Sequence, residues 1–377
     1  MISNVTYAVA VLIGGIVGVG IFALPYAVSQ VGFVMGMVYL FFLTIIITYL
    51  HLAYGEIILR TNEEHRLPGY TRIYLGKIAE QLVNCSTIIG VLLILLVYII
   101  VGGTFLSDVI SYPFPPFYFH ILFWLIMSIF VVAGLKTLKI TEWYMTLFLI
   151  VIIVFAFLWH IGDMQRAYFS GFHMDSLLFP YGIILFSLIG IAAIGEITKI
   201  LKDEKQKIKS AIIWGTTLSA VIYLIFIITV VGVIGRDTAS FHLSTFQALF
   251  PHSMSVLISL FGVFLIATSY LTLGFYFKET LLYDFALNRF LSVGIVIIAP
   301  FLLLFVGMSD FVKIISVVGS LLVGFESIII FLIYLQARKY GHRQPEYRLA
   351  IPNPVIYVFI FILSIGFLSN IIFTLLD

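Results

Sequence analysis

The chain has 377 residues, of which 62% are hydrophobic and 10% charged, with a formal net charge of +2. A soluble globule carries about 25% charged residues, so this composition excludes one and leaves a polytopic membrane protein. The net charge itself says little, because in such proteins the distribution of Lys and Arg carries the information. The single cysteine, Cys85, excludes an internal disulfide and a cysteine metal cluster.

Apolar runs of about 20 residues cross a bilayer as helices. Eleven are read in chain order: residues 5–29, 34–59, 79–108, 117–134, 141–161, 177–201, 209–235, 250–283, 289–307, 311–336 and 354–375. Several exceed the minimum and must tilt or protrude. A closed barrel would show short segments alternating in polarity, and these runs are continuous. With the N-terminus in the cytoplasm, seventeen Lys and Arg fall on inner connections and three, Arg166, Arg236 and Lys313, on outer ones. That asymmetry predicts a multi-pass protein of the cell membrane with its N-terminus inside and its C-terminus outside. The first basic residue is Arg60, and the first run is too long for a signal-peptide core, so no cleaved signal is expected.

The first run contains GGIVGVGIFALP, Gly14 to Pro25, with four glycines and a proline. Each glycine costs a soluble helix about 1 kcal/mol relative to alanine, and the proline removes a backbone hydrogen bond. The sixth run contains LIGIAAIG, Leu188 to Gly195. Glycine-rich breaks therefore open two sets of five spans. Five is odd, so two such sets would enter the membrane from opposite sides, as an inverted repeat of residues 1–162 and 170–337, with 353–377 as an additional helix. Paired interruptions in corresponding positions of inverted halves point to a secondary transporter's binding site. Taken singly, either segment reads as a small-residue packing face, and Gly14 with Gly18 has that spacing; their coincidence in position favours the site. The polar connections 60–78, 162–176 and 337–353 are too short for a soluble domain. The charged stretch LKDEKQKIK, Leu201 to Lys209, reads as a solvated inner loop and not as a nucleic-acid contact.

An unwound stretch within the membrane must turn its unpaired backbone groups toward protein or a ligand-filled cavity. A helix N-terminus suits a carboxylate, and free carbonyls suit an ammonium group or a metal cation. Gly18, Val19 and Gly20 would thus offer amides to an amino-acid carboxylate. The carbonyls of Ser187, Leu188 and Ile189, with Gly190 at the break, would take the amine.

Four segments then carry a resemblance over nearly the whole chain: GGIVGVGIFALPYA (Gly14 to Ala27), YIIVGGTFLSDV (Tyr98 to Val109), PYGIILFSLIGIAAIGEI (Pro180 to Ile197) and ATSYLTLGFYFKETLLYDF (Ala267 to Phe285). In this order the chain resembles the amino acid–polyamine–organocation superfamily with the LeuT-type fold. It is nearest to the auxin and amino acid permeases, which include the sodium-coupled neutral amino acid transporters, and to the hydroxy and aromatic amino acid permeases. The resemblance implies an all-α membrane protein of eleven helices, in which a five-plus-five inverted repeat is followed by one extra helix and helices 1 and 6 are unwound at mid-membrane. It implies a sodium site made by the carbonyls of Gly14, Val17 and Leu265 and the hydroxyls of Thr268 and Ser269, an oxygen set suited to a small hard cation. It also implies that Tyr98 closes over the substrate. Phe186, Ile191 and Thr272 are expected along the side-chain pocket. One departure stands out: many relatives have Pro-Glu where this chain has Gly195-Glu196.

Proton coupling competes with sodium. Some relatives place a lysine from helix 5 at the cation position, but Thr141 to His160 holds none. Glu56, Glu196 and Glu326 are ionisable groups within apolar spans and so are candidates for a proton-linked role. Pairing with Arg60 and Lys199 at helical spacing is the blander role for Glu56 and Glu196, and His51 reads as a packed, hydrogen-bonded histidine. No G-x-S-x-G, P-loop or H-E-x-x-H motif is present, and no enzymatic activity is expected. The sequence thus predicts a secondary transporter importing a neutral, hydrophobic or aromatic amino acid, coupled to sodium and needing no cofactor besides that ion. The partners expected are the amino acid and membrane lipid, with no nucleic acid and a monomeric assembly. Two alternatives stay open: a proton-coupled transporter, and an amino-acid-sensing subunit similar to the membrane subunits of spore germinant receptors.

Overall fold

The computed structural model describes residues 3–134, 139–235, 252–307 and 310–376. They are all-helical, with no strand among them. In chain order the helices are α1 (Asn4–Ile16), α2 (Gly20–Val31), α3 (Phe33–Arg60), α4 (Leu67–Leu75), α5 (Lys77–Ile110), α6 (Pro116–Ala133), α7 (Lys139–His160), α8 (Phe179–Leu188), α9 (Ile191–Ile200), α10 (Ile208–Ile234), α11 (His252–Tyr283), α12 (Arg289–Phe305), α13 (Phe311–Val317), α14 (Gly324–Tyr340) and α15 (Asn353–Leu376). A six-residue π-helix, Val318–Val323, joins α13 to α14 without a gap. Short local signals set several ends. Ser3 caps α1 by accepting the Thr6 N–H at 3.2 Å, and Asn288 caps α12 by accepting that of Leu291 at 2.9 Å. Gly32, at φ 98, turns the chain from α2 into α3, a conformation that a side chain would strain.

Every predicted apolar run contains a helix, or a broken pair of helices, near the expected bounds. By length and composition, eight helices among the described residues can cross a bilayer, or nine with the bent pair α1 and α2, which leaves the count of eleven unconfirmed. Of the remaining runs, α12 is a shorter apolar helix, Arg289–Phe305, and α15 runs over Asn353–Leu376.

The first predicted span is broken at Val17–Val19, and α2 leaves it at 58° to α1. The sixth is broken at Ile189–Gly190, between α8 and α9. α1 packs on α9 and α2 packs on α8, so the two broken spans lie side by side and run in opposite directions. The glycines make that approach possible: a methyl built on Gly15 would meet Ala193 Cβ at 2.7 Å, and one built on Gly20 would meet Ser187 Cα at 2.9 Å. α5 and α11 pack along each other and complete the surround.

A polar strap fixes the connection between α14 and α15. Glu56 of α3 pairs with Arg60 at 2.7 Å, and its other oxygen accepts the Leu349 N–H at 2.6 Å and the Tyr334 hydroxyl at 3.3 Å. Tyr347 O–H donates to the Leu52 carbonyl at 2.7 Å.

Candidate functional site

At the first break the helical ladder fails in a particular way. Val17 N–H still reaches the Ile13 carbonyl at 2.7 Å, but Gly18 N–H turns to Ile16 at 3.0 Å. The ladder resumes with Ile21 N–H on Gly18 at 3.4 Å and Phe22 N–H on Val19 at 3.2 Å. Among the described residues the amides of Val19 and Gly20 meet no backbone carbonyl across the break, and the Gly14 carbonyl has lost its usual donor.

The second break is satisfied largely by the protein. Ile189 N–H bonds the Phe186 carbonyl at 3.4 Å. Gly190 N–H donates to His51 Nε2 at 3.0 Å, which requires the ring hydrogen on Nδ1, where it donates to Thr216 Oγ1 at 3.0 Å. The Tyr223 hydroxyl of α10 lies 2.8 Å from the Ile16 carbonyl and 2.7 Å from that of Ser187, so one buried O–H is shared between the two breaks.

Between the breaks lies a cavity of about 120 Å³, partly open to solvent. It takes in Gly18, Val19, Gly20, Tyr98, Phe186, Ile189, Gly190 and Ile191. A methyl built on Gly18 would meet the Tyr98 hydroxyl at 3.2 Å and Ser269 Oγ at 3.5 Å. Ser187 and Leu188, expected to offer their backbone carbonyls, end α8 at the second break, whereas Thr272 lies elsewhere. Ser187 points back into its own helix, its Oγ donating to Ile183 at 2.7 Å, because a buried hydroxyl takes the nearest carbonyl. Leu188 is fully buried. Thr272 is outside the lining and bonds the carboxylate of Glu142 on α7.

The cavity is longer than the sequence suggests. Thr87, Gly90, Val91, Ile94 and Tyr98 form one stripe of α5, about 16 Å from first to last. The stripe is legible as helical spacing but indistinguishable from ordinary core. Opposite it, the π-helix and α14 contribute Val318, Leu322, Val323 and Glu326. Glu326 Oε1 accepts hydroxyls from Thr87 at 2.8 Å and Ser86 at 3.1 Å. Glu56 and Glu196 are not in this cavity. Glu56 belongs to the strap, while Glu196 is half-exposed beside Lys199 at 3.4 Å and Arg66 at 3.7 Å.

Beneath the cavity Arg66 pairs with Glu279, and its guanidinium lies 5.4 Å from the centre of the Tyr276 ring. The same guanidinium presses on Gly195, with its Cζ 3.6 Å from where a Cβ would stand. Glycine in place of the relatives' proline therefore makes room for Arg66, and α9 runs unbroken through Gly195 to Ile200.

The oxygens expected to hold sodium occupy α1 and α11 beside the first break. Thr268 Oγ1 and Ser269 Oγ both donate to the Leu265 carbonyl at 3.0 Å. Each hydroxyl keeps lone pairs for a cation, as does the released Gly14 carbonyl, and this donor set suits a hard monovalent ion. Among the described residues no cluster of three His, Cys, Asp or Glu could hold a metal.

Comparison with known proteins adds two positive findings. The model of the tryptophan/tyrosine permease family matches residues 1–372. The fold is similar to the crystal structure of MhsT in complex with L-phenylalanine, with a TM-score of 0.76, 16% sequence identity and 98% of each chain covered. That match is to a LeuT-type fold. No curated protein matches the sequence.

Proposed function

The chain belongs to the tryptophan/tyrosine permease family, and from that premise we propose a sodium-coupled importer of aromatic amino acids that works by alternating access. One observation carries the reading: the two broken spans face each other across one cavity, with unclaimed amides at Val19 and Gly20 on one side. The carboxylate sits on those amides, at the positive end of α2. The amine faces the carbonyls at Leu188 and Ile189. Tyr98 covers the backbone at Gly18, and Phe186 and Ile191 flank the ring. The ligand named with MhsT, L-phenylalanine, is of the same chemical class.

In this reading residues 1–162 and 170–337 are inverted halves, and the antiparallel packing of the two broken spans supports it. The residues after 353 lie outside the repeat, and the N-terminus is cytoplasmic. The transporting unit in this reading is a monomer. Sodium binds at Gly14, Val17, Leu265, Thr268 and Ser269. A monovalent cation moving down 100 mV contributes about 2.3 kcal/mol, enough for roughly fifty-fold accumulation of a net-neutral substrate.

Counterflow of labelled tryptophan in proteoliposomes tests transport. Uptake into tryptophan-loaded vesicles, increased by sodium, is expected; saturable binding without exchange would contradict it. A second reading, proton coupling, is favoured by Glu326, a carboxylate on the cavity wall. Accumulation driven by a pH gradient in sodium-free buffer would select it.

A further inference from the structure

The first turn of α7 holds a carboxylate to which neither coupling scheme assigns a role. Glu142 is 7% exposed and lies directly on Gly14: a methyl built there would collide with its Oε2 and stand 3.3 Å from its Cδ. Thr272 hydrogen-bonds it. One turn further along α7, Thr146 Oγ1 donates to the Ala10 carbonyl of α1 at 3.2 Å, which holds α7 against α1. None of the ion pairs among the described residues includes Glu142. A carboxylate buried away from water is favourable only when a cation or several donors face it. Among the described residues one hydroxyl faces it, beside a carbonyl that has lost its helical partner.

Position supplies the rest. Thr272 follows Thr268 by four residues, so both hydroxyls are on one face of α11, about 6 Å apart along the axis. Gly14 both touches Glu142 and contributes a released carbonyl. The proposed sodium ligands are all neutral, and a bare monovalent charge among them stays uncompensated within the bilayer. We propose that Glu142 is the charged ligand of the coupling cation, which binds between its carboxylate, the Gly14 carbonyl and the Thr268 hydroxyl, with Thr272 holding the carboxylate in place. This rests on the sodium reading above and adds to it a charged group from α7. It also explains why position 14 is glycine, since any side chain there would displace the carboxylate from the site.

Binding of radioactive sodium to the purified full-length protein, without amino acid, tests the assignment. Wild type should bind saturably, Glu142→Gln at least tenfold more weakly and Glu142→Asp in between, with tryptophan binding by Glu142→Gln recovering as sodium is raised. Equal sodium affinity in wild type and Glu142→Gln would overturn the assignment while leaving sodium coupling standing. No sodium binding by wild type would remove both. Should Glu142→Gln not fold, Thr272→Val carries the test: three- to tenfold weaker sodium binding supports the assignment, and unchanged binding overturns it.

Discussion

The two breaks are alike in outline and unlike in chemistry. The first spans three residues, bends its span by 58° and leaves the amides of Val19 and Gly20 without backbone partners. The second spans two residues, and the protein claims its polar groups, with His51 on the Gly190 amide and Tyr223 on the Ser187 carbonyl. Among the described residues, the first break thus leaves backbone donors unclaimed, while the amide of the second is held by the scaffold. The lesson is that unwinding alone does not make a recognition element. What matters is which of the released groups the surrounding helices leave unclaimed.

The contrast can be broken from either side. The largest effect is expected at Gly18, where leucine would intrude on Tyr98 and the carboxylate cradle. Loss of two charge-assisted hydrogen bonds corresponds to at least about a hundredfold in tryptophan affinity, read by equilibrium binding. Gly20→Leu is a poorer probe, because its side chain would drive α2 from Ser187 and compromise folding as well. Next comes His51→Phe, which strands a buried amide at a cost of about 1–3 kcal/mol. It should lower the melting temperature in detergent, and His51→Gln, which can still offer an acceptor, should recover part of the loss. Tyr223→Phe removes the O–H shared by the breaks. A loss of about 1 kcal/mol is expected, seen as a few-fold weaker substrate binding with little change in expression. The smallest effect under sodium coupling is that of Glu326→Gln, whose uptake in a sodium gradient should stay within about threefold of wild type. A collapse of uptake there would move the coupling to this carboxylate.

Much of the architecture was legible because bilayer thickness writes itself into apolar run length. The third run, expected at 79–108, is α5 at Lys77–Ile110. The breaks were legible because glycine and proline are costly in a helix and therefore informative. What each glycine faces was not. Gly14 meets Glu142, Gly15 meets Ala193, Gly18 meets Tyr98 and Gly20 meets Ser187, so packing and site share one motif. Glu142 was overlooked because an acidic residue in the first turn of an apolar run reads as a helix end in water. Only tertiary contact with α1 and α11 shows that it is buried. Thr272, expected along the side-chain pocket, instead bonds the Glu142 carboxylate across from it, a partner the sequence alone does not bring near. Ser187 and Leu188 end α8 at the break, where the sequence places their carbonyls, while the direction of the Ser187 hydroxyl, onto the Ile183 carbonyl, is set within its own helix.

The central claim is that the breaks read the two charged ends of an amino acid, and competition against tryptophan counterflow tests it most directly. Tryptamine lacks the carboxylate, and indole-3-propionate lacks the amine. The account predicts that each competes at least about a hundredfold more weakly than unlabelled tryptophan, as loss of one charge-assisted contact set requires. Tryptamine competing as well as tryptophan would contradict it, since the Val19 and Gly20 amides would then hold nothing.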